Sequence, residues 1–499
     1  MSDLKNRTYH GAFWSAIDAM AARLLQFVIG VILARLLLPE QFGLIGMLAI
    51  FVGVSQMLLH AGFSTALIQK SGISDTDTSS VFYFNVLMSI LLAGGMYLAA
   101  PSIASFYSQP ILIVLTRALS LVIVIDAFSV VQTAILTREM RFRIQTKVSL
   151  VAALLSGGVG ITMAATGFGV WALVGQQLSA ALARAVALWR FNTWRPRPLF
   201  CVSALRNMFR FGSRMMLSGL LNQVFQNIYY VVIGRLFSPV DLGFYTRARH
   251  IEEMPSLTLS GIVSRVSFPA FSAIQNDDER VRRAFRKALR MLAFVNAPVM
   301  IGLAVVAEPL VLVLLTERWL PAVPYLQLLC VLGIFLPYHT INLNVLMAKG
   351  RSDLFLQLEI LKKVFVVISI GILWRWGIMA LIAGNVLVSV LGYVVTATYL
   401  SRLVGYGLLS QLRDTVIYLL LAAIMGTFVY AMHFVEIESA LLLLISQIAV
   451  GVFLYSGLCL SIRPPALFDL VDLLRSRFGL GRASTFLRWM ALARSTRQS

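Results

Sequence analysis

Four residues in one long apolar run have the types and spacing to hold an anion. Arg214, Ser218, Asn222 and Gln226 recur every fourth position between 209 and 236. At about 100° per residue such a helical stripe drifts only about 40° per step, so the four share one face. An earlier apolar run carries Asp18, Arg23 and Gln26. A second carries Gln56, His60 and Ser64, and another carries Arg249, Ser256, Ser260, Ser264 and Arg265. A charge at membrane depth costs about 2.5–3.5 kcal/mol, so these groups point to a bundle interior or a wet cavity. Arginine grips phosphate through several donors at once, and amides and hydroxyls suit sugar hydroxyls. The candidate substrate-binding set is therefore Arg23, Arg214, Arg265, Arg249, Asp18, Gln26, His60, Ser218, Asn222 and Gln226, and the chemistry is recognition of an anionic, hydroxyl-rich molecule.

A plainer role competes at several positions. An isolated Ser or Asn in a span commonly bonds a neighbouring helix. Glu252 and Glu253 lie within one helical turn of Arg249 and offer it an ion pair. Asp126 and Glu308 read as helix-packing groups, and Arg184 as a side chain that snorkels to the interface. No Walker loop, H-E-x-x-H, C-x-x-C or G-x-S-x-G occurs, and His60, His339 and His433 lie far apart. No enzymatic activity, metal or cofactor is expected. The three cysteines make no disulfide framework.

The elements that must position these residues are membrane helices. Hydrophobic residues make up 59% of the 499, and charged residues 13%. A soluble chain carries about 25% charged residues. So little charge cannot cover a water-facing surface, which excludes a soluble multidomain enzyme and a disordered chain. Hydropathy marks about fourteen spans, each long enough to cross about 30 Å as a helix. They are 9–36, 42–68, 81–104, 113–135, 148–168, 170–190, 209–236, 243–272, 289–314, 321–347, 357–376, 378–401, 413–434 and 440–462. Tight hairpins are expected at Thr166-Gly167-Phe168-Gly169 and at Trp374-Arg375-Trp376-Gly377. The net charge of +20 would suggest nucleic acid in a soluble protein; here it suggests basic cytoplasmic loops, attraction to anionic lipid and no nucleic-acid partner. With the N-terminus inside, most Lys and Arg fall on cytoplasmic segments. Only Arg235, Arg247, Arg249, Arg318 and Arg375 fall outside. Both termini are therefore expected in the cytoplasm.

The stretch Arg35-Leu36-Leu37-Leu38-Pro39-Glu40-Gln41-Phe42-Gly43 matches Arg235-Leu236-Phe237-Ser238-Pro239-Val240-Asp241-Leu242-Gly243 at an offset of 200, and Gln26 matches Gln226. Six spans separate the copies, so the repeat is parallel. The expected organisation is a six-helix lobe over 1–200, a second over 201–402, two added helices over 403–463 and a basic amphipathic tail over 464–499 on the inner leaflet.

The stretches Gly11-Ala12-Phe13-Trp14-Ser15, Leu33 to Leu44 and Arg138-Glu139-Met140-Arg141-Phe142-Arg143 resemble the bacterial polysaccharide transporter family, which includes the Wzx-type flippases for O-antigen and exopolysaccharide units and colanic acid exporters. The resemblance covers about residues 5–460. It implies the multidrug/oligosaccharidyl-lipid/polysaccharide exporter fold, alternating access, and an inner-membrane flippase for undecaprenyl-pyrophosphate-linked oligosaccharide. It also implies contact with membrane lipids and with other polysaccharide polymerisation and export proteins. The related lipid II flippase has cavity arginines on the first helices of each lobe; Arg23, Arg214 and Arg265 correspond to them by location. A multidrug or cation antiporter of the same superfold would want acidic groups in the cavity. A membrane polymerase or ligase would want a substantial external loop.

Overall fold

The structure is a computed structural model that describes residues 23–470 except 62, 71, 436 and 438; for 61, 65, 204, 207 and 210–215 it describes the backbone alone. Among the described residues the secondary structure is helical, with no strand. The helices are α1 (23–36), α2 (Pro39–Ala61), α3 (Phe63–Gln69), α4 (Asp75–Tyr107), α5 (Leu112–Arg138), α6 (Phe142–Ala165), α7 (Val170–Phe191) and α8 (Val202–Leu236). They continue with α9 (Pro239–Ala273), α10 (Asp278–Val305), α11 (Ala307–Leu314), α12 (Val323–Ala348), α13 (Ser352–Leu373), α14 (Ile378–Val404), α15 (Leu408–Ala431) and α16 (Ala440–Ile462).

Nine stretches among the described residues are long and apolar enough to cross a membrane, so the protein is a multi-span membrane protein. Helices α8, α9 and α13 are as long as a span but fall outside that set, as does α7, which carries Gln176, Gln177 and Arg184. The first three carry the polar side chains that lower their hydropathy: Asn222 and Gln226, Glu252 and Glu253, Lys362 and Lys363.

Local chemistry sets the boundaries. Pro39 and Pro239 each occupy the first position of a helix, where the missing N–H costs nothing. Ser74 caps α4 in a reciprocal box with Asp77. The α6–α7 and α13–α14 hairpins turn where the sequence places them, with Gly167 and Gly377 at φ of 84° and 89°, a region that L side chains avoid.

The chain forms two compact units. The first holds the residues up to Arg247 together with Leu314–Trp319. Within it α6 packs on α7, α4 on α5 and α2 along α8. One apolar cluster joins Phe63 and Leu67 to Phe82, Val131 and Met208. Arg138 caps the end of α3 by donating to the carbonyls of Leu67 at 3.1 Å and Lys70. The 192–201 linker is fixed to the start of α4 by hydroxyls: Trp194 Nε1 donates to Thr78 Oγ1 at 3.1 Å, and the Cys201 N–H to Ser80 Oγ at 2.8 Å.

The second unit holds Ala248–Val313 and the residues from Leu320 onward. Its core runs from Phe285 and Leu289 on α10 through Ile341 on α12 and Leu400 on α14 to Tyr418 on α15. Asp414 joins α15 to α10. It accepts from Arg286 at 2.6 and 2.9 Å, from Arg290 at 3.1 Å and from Tyr406 Oη at 2.7 Å. The beginning of the predicted tail docks here, with Ala466 N–H on Tyr418 Oη at 3.1 Å and Lys287 paired with Asp469 at 3.0 Å. The rest of the tail, like Asp18, lies outside the described residues.

Candidate functional site

The first unit carries a polar face on α8. Ser218, Asn222 and Gln226 are all exposed along one side of the helix, and the backbone of Arg214 continues the same register. Arg23 and Gln26 are exposed on α1. The α8 face, built of two amides and a hydroxyl, suits phosphate and sugar oxygens. His60 is half-buried on α2.

Its neighbour Gln56 has a different task. The Gln56 Nε2 donates to Asp126 Oδ2 at 2.8 Å, and Asp126 is buried. Arg184 reaches the other carboxylate oxygen at 3.7 Å. Arg184 itself stays exposed, so it lends the buried acid a nearby positive charge without a hydrogen bond.

In the second unit Arg265 is exposed on α9. Arg249 forms the ion pair that the sequence allowed, 2.6 Å from Glu253 Oε1. Ser256 and Ser260 are buried, and Ser256 Oγ donates to the Glu252 carbonyl at 3.2 Å. Ser256 thus serves its own helix, whereas Ser260 Oγ is buried without a hydrogen-bond partner among the described residues. Glu308 pairs with His433 at 3.4 Å. Among the described residues no group of His, Cys, Asp and Glu could hold a metal ion.

A second arrangement, which the residue-by-residue reading passed over, sits in the first unit where the repeated turns meet. A Cβ placed on Gly43 would lie 1.7 Å from the Pro239 carbonyl oxygen, and one on Gly243 would lie 1.9 Å from the Pro39 oxygen. The two copies of the Pro-x-x-x-Gly turn therefore cross each other reciprocally, backbone against backbone. Only residues without a side chain allow that approach.

Trp319 is fully buried beside the crossing. Its Nε1 donates to the Ala34 carbonyl at 2.8 Å, and its ring lies 5.5 Å from Phe42 and 6.1 Å from Phe244. Arg35 Nε donates to the Leu314 carbonyl at 2.8 Å. Arg247 stacks over Phe42 at 4.0 Å and donates to the Gly30 carbonyl at 3.3 Å. The offset of 200 marked the place, but nothing local marked Trp319, which is distant in sequence from both turns.

The fold and these faces define a helical membrane protein of the kind that solved transporters share. It is similar to a structure titled lipid II flippase MurJ in an inward closed conformation, with a TM-score of 0.77 over 92% of this chain and 100% of that one at 15% identity. It is also similar to an inward-facing multidrug resistance MATE family transporter, with a TM-score of 0.59 over 78% of this chain and 98% of that one at 17% identity. The sequence pattern described as "Polysaccharide biosynthesis protein" matches residues 32–324, and the chain belongs to that family. Three relatives are each 28% identical. The teichuronic acid biosynthesis protein TuaB of Bacillus subtilis matches 71% of this chain and 74% of its own length. The lipopolysaccharide biosynthesis protein WzxC of Escherichia coli matches 72% and 73%, and the succinoglycan biosynthesis transport protein ExoT of Rhizobium meliloti matches 93% and 95%.

Proposed function

We propose that this protein is an inner-membrane flippase for undecaprenyl-pyrophosphate-linked oligosaccharide repeat units. The observation that carries the reading is the exposed face of Ser218, Asn222 and Gln226 in a chain of the polysaccharide biosynthesis protein family. Amide and hydroxyl donors left open on a membrane helix need a polar occupant. The names of TuaB, WzxC and ExoT, which refer to polysaccharide biosynthesis and in ExoT to transport, support a saccharide as that occupant. In this reading fourteen spans form two six-helix lobes, 1–200 and 201–402, plus two added helices, with both termini in the cytoplasm.

Arg23, Arg214 and Arg265 take the pyrophosphate, whose lost hydration only cations can offset. Gln26, His60, Ser218, Asn222 and Gln226 take the sugars, with Asp18 orienting the nearest arginine. Arg249 is committed to Glu253 and tunes the field. The polyprenyl tail stays in lipid while the lobes alternate access. The reciprocal turn crossing is the seal that closes the outer side. A cation antiporter of the same fold would place acids where this chain places arginines and amides.

The test is depletion of the protein in its own host, followed by extraction of lipid-linked saccharides. Accumulation of an undecaprenyl-pyrophosphate oligosaccharide in the inner leaflet supports the reading. Normal polysaccharide export with no accumulated intermediate rejects it.

A further inference from the structure

A buried triad in the second unit has a defect that one proton would repair. His339 on α12 is 6% exposed and lines a small cavity of about 10 Å³ with Lys362, Phe365 and Val395. That is space for about one water molecule. The His339 Nδ1 lies 3.3 Å from Thr396 Oγ1 on α14. The single Thr396 hydroxyl proton is already donated to the Gly392 carbonyl. Thr396 Oγ1 can therefore only accept, and Nδ1 must carry the imidazole hydrogen. In a neutral ring this leaves Nε2 as a bare lone pair, buried and without a hydrogen-bond partner. Another acceptor, Glu359 Oε1 on α13, lies 3.8 Å from it. Two acceptors face each other, too far apart for a hydrogen bond and with no proton between them.

We propose that His339, Glu359 and Lys362 form a proton-binding site that couples transport to a proton gradient, with His339 Nε2 as the atom that takes the proton. This rests on the flippase reading and supplies its energy source. Protonation makes Nε2 a donor, and the resulting imidazolium is neutralised by Glu359. Lys362, on the same cavity, opposes the added charge and favours release. The three groups titrate as a unit.

The other groups around it are accounted for. Lys363 is the remaining cation on α13. Tyr338 and Tyr393 present neutral hydroxyls from α12 and α14. Asn296 on α10 is spent on the Gly333 and Ile334 carbonyls, and Arg286 and Arg290 on Asp414. Glu252 on α9 lies against Gly333, about 9 Å along α12 from His339 at 1.5 Å per residue. Protonation pulls α12 and α13 together through one new charged hydrogen bond, and deprotonation releases them. That is a two-state element of the kind that alternating access needs.

The experiment has two arms on the full chain. In lipid nanodiscs, imidazole NMR follows each histidine between about pH 5 and 9. The resonance that disappears in His339→Gln should titrate, and its midpoint should move down in Glu359→Gln. In cells, export of the polysaccharide is compared for the wild type, His339→Gln, Glu359→Gln and the double variant Glu359→Gln/Lys362→Gln, at matched membrane abundance. The single variants should lower export by about tenfold or more, a usual size for coupling between two sites. The double variant, which removes the charges without leaving an unpaired one, should reach normal abundance yet export as poorly as the single variants, with no further loss on adding a protonophore that lowers wild-type export. Absence of a titrating His339, or wild-type, protonophore-sensitive export by the double variant, would each overturn the proposal and leave a structural ion pair. Export that is unaffected by deleting the whole chain would instead reject the flippase reading, whatever His339 does.

Discussion

Arg23 and Arg265 stand exposed on their helices, and an exposed guanidinium in a membrane protein adds little to stability. Substituting either by Ala should therefore leave membrane abundance unchanged. Transport should fall by about ten- to a hundredfold, the loss of one charged hydrogen bond of about 1.5–3 kcal/mol. Lys should rescue partly, because it keeps the charge and loses the planar fork. Export complementation with abundance checked by blot measures both; normal export by both Ala variants would remove the arginines from the substrate path. Asp414 should behave in the opposite way. It is buried under two guanidinium groups and a tyrosine hydroxyl, so Asp414→Asn should cost about 2 kcal/mol of stability, with Arg286 half exposed and the loss correspondingly moderated. A thermal-shift assay in detergent should show that fall, and export per molecule should stay near normal.

At the scale of elements, the crossing of the two repeated turns makes the sharpest claim. Each Cβ would meet a backbone oxygen, which cannot swing aside as a side-chain tip would. Gly43→Ala and Gly243→Ala should each destabilise the closed crossing by about 1–3 kcal/mol, the usual cost of overpacking. Leu44, buried at 4% exposure, is the reporter. A cysteine there should react with maleimide several times faster in either Ala background. Because both substitutions open one joint, the double variant should add little to either alone. Unchanged labelling would mean that the turns never part.

Helix existence and the two Gly-rich hairpins were legible in the sequence, because period, length and turn chemistry are local. The polar face of α8 was legible for the same reason. The Arg249–Glu253 pair was legible too, being one helical turn apart, whereas the approach of Gln56 and Arg184 to Asp126 was not, since packing chooses that partner. The Trp319 plug and the His339 triad were invisible, because each joins residues from separate helices that no periodicity links.

For the whole molecule, charge asymmetry across the membrane makes the testable statement. Lys and Arg cluster on alternate loops, and that bias orients a chain as it inserts. Cysteine labelling should report positions 41, 109, 168 and 436 outside and 75, 143, 278 and 480 inside. Two or more reversals would sink the fourteen-span arrangement. The first compact unit takes in α8. Helix α8 is fixed against α2, so force applied to α8 is felt directly by the first hairpin.

The reciprocal crossing also constrains inheritance. When a duplicated half diverges, most positions drift independently of their twins. Gly43 and Gly243 do not have that freedom, since each glycine makes room for the other copy's proline carbonyl. A recombinant that takes residues 1–200 from one relative and the remainder from another will therefore succeed or fail at this joint before any sugar is offered. Parents that keep Pro-x-x-x-Gly in both turns should yield export-competent hybrids, and parents that have lost it in one turn should not.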